Sequence, residues 1–263
     1  MLRILLYIAA LVIGAIALPF IKTSSVLFIL ITGIMIGIAI PLLDNAASNA
    51  RYFRLAFYSL KYANKTIRIS VSYLFRIKLD NTYLLVKGRR WNQYQPVGGV
   101  YKVSAGAKDM MDKIGALDDD LIPIDQASLH DLRIRIPATK LLPFVRWFES
   151  GHSRETSPWR EFYEELIGTG ILTRDDFPFI FDDFIRRDIR RLRFSEHAQS
   201  WELQIADIHE LLPTPEQLAA LRQLKATGHP DIIWATENQI RHLGVIPGET
   251  LDLHIGAPAI WTL

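Results

Sequence analysis

Two apolar runs at the amino terminus constrain this chain more than any other feature. Ile4 to Ile21 and Val26 to Leu43 carry no charge, and only "KTSS", Lys22 to Ser25, separates them. As helices at 1.5 Å per residue, runs of 18 residues reach about 27 Å, close to the ~30 Å hydrocarbon core of a bilayer. Backbone groups in lipid must bond within the segment, so helix is the state expected there. So short a link permits only a tight hairpin. Residues 1–43 therefore read as a transmembrane helical hairpin. Two other readings stay open. One is a cleaved signal peptide behind Arg3, for which the first run is long. The other is a pair of buried core helices, which the lack of any polar face disfavours.

Basic residues set the orientation. The link holds Lys22 alone, whereas Arg51, Arg54, Lys61, Lys65 and Arg68 follow the second run and Arg3 precedes the first. Both termini are expected in the cytoplasm, with the hairpin crossing the membrane twice. "GIMIG", Gly33 to Gly37, has the Gly-x-x-x-Gly spacing that lets helices approach closely. Residues 44–66 form a basic and aromatic linker in which Phe53, Phe57 and Leu60 fall at helical spacing. A helix resting on lipid headgroups and a plain continuation of the second span both fit.

Composition excludes several chemistries. The chain has no cysteine, hence no disulfide, thiol nucleophile or cysteine-based zinc site. A net charge of +2 is too small to argue for nucleic acid on electrostatic grounds, and no direct DNA binding is expected. The seven histidines show no metal spacing, and there is no P-loop.

Residues 67–263 read as one α+β domain. "IRISVSYLFRIKLD" and "TYLLVKGRRW" alternate like strands, with Asn81 between them as a hairpin turn. "YQPVGGVYKV" is a third extended piece; Gly98 and Gly99 inside it mark a bulge or a close backbone approach. "DLRIRIP", Asp131 to Pro137, is a further strand, and "RFSEHAQSWELQIADI" holds two more. Thr214 with Gln217 forms a capping box ahead of a helix through Ala226.

The stretch "RETSPWREFYEEL" carries the most chemistry. Ser157 and Pro158 open a helix. Trp159, Phe162, Tyr163 and Leu166 then make one apolar stripe, while Glu161, Glu164 and Glu165 share an arc of about 100° on the other side. Three carboxylates that close suit a hard cation such as magnesium. A solvated helix face with an Arg160 to Glu164 pair fits the same residues. "RRDIRRLR", Arg186 to Arg193, carries arginines whose planar forks suit phosphate, Arg186 and Arg190 among them. A solvated amphipathic segment fits equally well. Arg89 and Arg90 follow a strand and border the same cleft in one reading. Arg154 and Glu155, just ahead of the helix, are candidates to supply a further acid.

"REFYEEL" resembles the second half of the Nudix box, G-x5-E-x7-R-E-U-x-E-E-x-G-U, and "QPVGG" resembles the strand that leads into it, with Gly99 as the box glycine. The resemblance implies that Glu161, Glu164 and Glu165 are metal ligands and, if the domain is active, catalytic, with Glu165 or Glu164 as base. Arg160 would orient them, and Gly98 and Gly99 would border the nucleotide. The box is interrupted. Ala105 stands where it has Glu, about fifty residues replace its seven-residue spacer, and Leu166 and Ile167 both precede Gly168. These departures argue against a working hydrolase.

The whole layout is similar to the membrane effectors of bacterial CBASS anti-phage systems, which carry a SMODS-associated Nudix domain. The implied fold is a two-helix transmembrane hairpin followed by a Nudix-like mixed-sheet α/β/α domain with an insertion at 103–153. The implied ligand is a cyclic oligonucleotide from a CD-NTase synthase, with magnesium as the implied metal. The implied action is homo-oligomerisation on activation and disruption of the bacterial inner membrane. The rival reading is a membrane-anchored, magnesium-dependent hydrolase of nucleoside-diphosphate compounds.

Overall fold

A computed structural model describes residues 2–89, 92–119, 128–245 and 253–263. The chain divides into two compact units, Met1–Tyr58 and Ser59–Leu263.

In the first unit, helix α1 covers Leu2–Ala17 and turns into a 3₁₀ segment at Leu18–Phe20, where Pro19 sits. Helix α2 runs through Val26–Ser48. The first helix is shorter than its apolar run: 16 residues reach about 24 Å, under the ~30 Å of a hydrocarbon core. Among the described residues one helix, Val26–Asp44, is long and apolar enough to cross a membrane; Ala9–Phe20 is a shorter apolar stretch. The two-span expectation is thus met by one full-length span. α1 and α2 approach at Gly14, where an added Cβ would lie 2.7 Å from the Met35 sulfur. Gly33 and Gly37 have nothing within 4 Å of an added Cβ, so that face is not the hairpin's own contact. Helix α3, Ala50–Lys61, comes next, with Phe53, Phe57 and Leu60 exposed along it.

The second unit holds eleven strands among the described residues. In order come β1 (Thr66–Arg76), β2 (Lys78–Leu79), β3 (Thr82–Lys87), β4 (Tyr94–Gln95) and β5 (Gly98–Val100). Next are α4 (Lys108–Ile114), β6 (Leu117–Asp118), β7 (Arg133–Pro137), α5 (Leu141–Ser150) and α6 (Trp159–Phe162), which continues as a π-helical turn over Tyr163–Ile167. The remaining elements are β8 (Phe181–Ile189), β9 (Arg193–Ser195), β10 (Ser200–Leu212), α7 (Pro215–Thr227), β11 (Ile232–Thr236) and α8 (Glu237–Arg241).

β1 organises the larger sheet. It runs parallel to β10, and its other edge takes β7 beside Thr66–Ser70 and β5 beside Ser72–Leu74. β8 and β9 pair with β10, and β6 with β7. A smaller antiparallel sheet joins β11, β3, β2 and β4. The single strand expected from Ile67 to Asp80 is therefore divided at Ile77, its first part in one sheet and its second in the other. Asp80 adopts φ 54° at the β2–β3 turn, a left-handed conformation that an aspartate tolerates in a two-residue hairpin. The insertion expected at 103–153 contributes β6 and β7 to the large sheet and α5 to its cover.

Alternation along β1 sends Ile67, Ile69, Val71, Tyr73 and Phe75 into the core on one face. α6 packs on that face: the Phe162 ring lies 5.5 Å from Phe75, and Phe162 and Leu166 are fully buried. The expected stripe is partly broken, because Tyr163 is exposed. The cause is the π turn, in which the Gly168 N–H bonds to the Tyr163 carbonyl at 2.6 Å. A π turn takes up one extra residue in a helix. It absorbs the additional residue between Glu165 and Gly168 and rotates the helix beyond Phe162.

This register predicts unequal costs for neighbouring aromatics. Phe162→Ala is expected to lower unfolding stability by about 3–5 kcal/mol, and Tyr163→Ala to change it by no more than about 0.5 kcal/mol. Denaturant unfolding of the full chain in detergent, monitored by tryptophan fluorescence, measures both. Equal losses would contradict the π register.

Candidate functional site

The site is built on β5, because α6 comes so close to it. Gly98 has φ 151°, and a Cβ there would lie 2.2 Å from the Tyr73 carbonyl oxygen. A Cβ at Gly99 would lie 2.0 Å from Oε1 of Glu161. No side chain fits at either position without displacing backbone or carboxylate. The Gly98 N–H donates to Glu165 Oε2 at 2.9 Å. Two of the three expected acids thus meet the double-glycine strand, as the motif reading requires.

Arg160 binds the cluster together. Its Nη1 donates to Glu161 Oε1 at 2.6 Å and lies 3.5 Å from Glu164 Oε1. Its Nε donates to Glu155 Oε1 at 3.0 Å, and its Nη2 to the Val100 carbonyl at 3.0 Å. Glu155 is the candidate for the acid that the interrupted box lacks at Ala105, and it lies in this cluster. It also accepts the Lys102 N–H at 3.2 Å and stands 3.5 Å from the Tyr73 hydroxyl. The bridge that pairs Val103 with Arg154 brings Glu155 there from the far end of the insertion. Arg154 serves packing instead, its guanidinium 3.9 Å above the Phe148 ring.

Burial governs the charges. Desolvation pushes the Glu165 carboxyl up to about 8, with Glu161 and Glu164 adding to it and the Gly98 N–H opposing it. Part of the Glu165 side chain reaches the surface, but its carboxyl turns inward, and that is where the proton resides. Desolvation also raises Glu161 against the pull of Arg160. Desolvation works to lower Arg160, but hydrogen bonding to Glu155 and the charge of Glu161 raise it overall. The cluster is a cation held among carboxylates, with one of them a proton-bearing acid at neutral pH.

A divalent cation fits this arrangement poorly. Glu161 is committed to Arg160 and Glu165 to a backbone N–H, while Glu164 faces solvent with its side chain 39 % exposed. Among the described residues no three His, Cys, Asp or Glu side chains converge as metal ligands would.

The remaining candidates separate. Arg89 joins the cluster, its Nη2 donating to the Glu164 carbonyl at 2.9 Å. Arg90 lies outside the described residues. Arg186 and Arg190 stand on the opposite face of the large sheet, so they do not share a cradle with Arg160. Arg187, between them in sequence, is an internal residue, paired with buried Asp207 at 2.6 Å. Tyr101 also donates to that aspartate, at 2.8 Å. Asp207, Tyr73 and Lys102 carried no motif signal, since isolated residues in alternating strands resemble any other core or edge position.

The raised Glu165 fixes the sign of a pH effect. In the unfolded chain this carboxyl ionises near 4.5, and in the fold near 8. The stability that it contributes is complete below the lower value and is lost as pH rises toward the higher one, on the order of 5 kcal/mol at most and less after solvent screening. Thermal unfolding of the full chain between pH 5 and pH 9 should show this decline. In Glu165→Gln it should be shallower; an unchanged slope would place the carboxyl in water.

The sequence pattern of the SMODS-associated NUDIX domain matches residues 66–263, which takes in the whole site and both sheets. No match was found among curated proteins or among solved structures. With most of its length matched in this way, the chain belongs to the SMODS-associated NUDIX domain family.

Proposed function

We propose that this protein is a membrane effector of a CBASS antiviral system, in which the Nudix-like domain senses a cyclic oligonucleotide and the amino-terminal helices act on the inner membrane. Binding drives self-association, and the helices then breach the bilayer from the cytoplasmic side. The coupling requires that the ligand bind the assembled state more tightly than the resting one.

One observation carries the choice of sensor over hydrolase. Arg160, Glu155, Glu161 and the Gly98 N–H satisfy one another and Glu165, so two of the three motif acids, Glu161 and Glu165, are already occupied by protein groups. Family membership supports the CBASS association, and the apolar α2 supports the membrane role.

A second reading has its own support. The motif acids are retained, and Glu165 holds its proton to about 8, near the range in which a general base works at neutral pH. This favours a membrane-anchored hydrolase of nucleoside-diphosphate compounds, which would use magnesium and would first have to free Glu161 and Glu165 from their present partners.

The readings separate in vesicles. The full chain, reconstituted in bacterial phospholipid and given cyclic GMP–AMP, cyclic di-AMP or cyclic tri-AMP, is expected to release an entrapped dye while the nucleotide is recovered intact. Glu164→Gln should release dye as well. Consumption of a nucleotide with magnesium, without leakage and abolished by Glu164→Gln, would support the hydrolase instead.

A further inference from the structure

The face of the large sheet turned away from α6 has an unusual make-up. Register sets Arg133, Ser70, Gln204 and Arg190 side by side across four neighbouring segments. The next row toward β9 holds Arg135, Arg68, Glu202 and Arg193. With Arg186, these rows hold six arginines among the described residues, and they meet four acids, Asp119, Glu202, Asp188 and Asp131. Arg68 and Arg135 are used up by Asp119 and Glu202. The positive excess lies toward Arg186, Arg190 and Arg193.

A cavity of about 210 Å³ opens over this floor, lined by Ser70, Ser72, Gln204, Arg133 and, from the carboxy-terminal segment, Trp261. Arg190 stacks on Trp261 at 4.4 Å, and Arg186 donates to the Trp261 carbonyl at 2.6 Å. The Nε of Arg190 is buried without a hydrogen-bond partner. Burial, with Arg186 and Arg193 close by, also makes its charge harder to hold. Arg190 backs two residues of the cavity wall, Trp261 through the stack and Gln204 through a backbone hydrogen bond, so its charge, with that of Arg133 on the wall, favours an anion there.

We propose that this cavity seats one phosphorylated nucleotide unit, its phosphate held among Arg133, Gln204 and the Ser70 and Ser72 hydroxyls, with the charge of Arg190 behind Trp261. The proposal rests on reading the domain as a nucleotide sensor and assigns the ligand to a face that the motif does not mark. The volume is below the ~300–1,000 Å³ of pockets that enclose a whole ligand, so a cyclic oligonucleotide would insert one unit and leave the rest outside. Gly98 and Gly99 line the cavity from one side and meet Glu165 and Glu161 on the other. β5 thus stands between the seated phosphate and the acids, which keeps the ligand from hydrolysis.

The test uses the full chain in lipid nanodiscs with four probes: cyclic GMP–AMP, 5′-AMP, pyrophosphate and adenosine. Affinities are read from tryptophan fluorescence and equilibrium dialysis. Arg190→Glu, at a partly exposed position, and Ser72→Phe, which fills the cavity, are each expected to weaken the phosphorylated probes roughly tenfold or more, the first by reversing a charge at the cavity's edge and the second by occupying its space. Adenosine should bind far more weakly than 5′-AMP. Melting curves confirm folding, and Arg190→Glu alone decides if Ser72→Phe does not fold. Cyclic GMP–AMP bound equally well by wild type and folded Arg190→Glu would overturn the site and leave the sensor reading standing. Binding of 5′-AMP or pyrophosphate that Arg190→Glu abolishes, without binding of the cyclic probe, would uphold the anion site and count against the messenger. No binding of any phosphorylated probe would overturn both.

Discussion

Two missing side chains on β5 allow everything else at the motif. Any Cβ on Gly98 would run into the Tyr73 carbonyl, and any on Gly99 into Glu161. With both absent, α6 lies close enough for two of its carboxylates to reach the strand backbone. That proximity removes water from the carboxylates, and the loss of water raises their proton affinity. It also forces their charge to be answered from within the protein, by Arg160 and by a backbone N–H. Glu155 completes the answer. It arrives from the end of a long insertion and accepts hydrogen bonds from Arg160 and from the Lys102 N–H.

The two faces of the large sheet therefore carry opposite characters. One holds acids answered by Arg160 at the motif and by Arg187 at Asp207. The other holds arginines in excess over acids, with small polar residues between them. β5 is thin, made of glycine where it matters, and belongs to both. A phosphate-bearing ligand has a reason to approach the second face and little reason to approach the first. In this structure the acids Glu161 and Glu165 clasp Arg160 and the β5 backbone.

Periodicity made several elements legible in advance. The alternation in β1, β7 and β10 is strong because one face is buried, and the Thr214–Gln217 capping box marks its helix through local hydrogen bonds that need no tertiary context. The motif acids were legible as a group, and Glu155 as a candidate. The π turn was not, although its cause, one residue more than the motif allows before Gly168, was visible. Helical periodicity assumes one uniform twist, and a local change in hydrogen bonding erases that assumption. The sharing of one apolar run between two sheets at Ile77 was hidden for a similar reason: both halves are equally buried, so composition does not change. Nor did spacing reveal that Arg187 turns inward while Arg186 and Arg190 face the other side. That is ordinary strand alternation, legible only once Phe181–Ile189 is known to pair with β10.

The central claim is that the motif carboxylates are already committed to protein partners. Manganese titration of the full chain in detergent at neutral pH, read by electron paramagnetic resonance, tests it directly. The account predicts that Glu161→Gln and Glu165→Gln leave the manganese isotherm unchanged, because neither side chain is available to the ion. A tight manganese site in the native chain that disappears in either variant would contradict it.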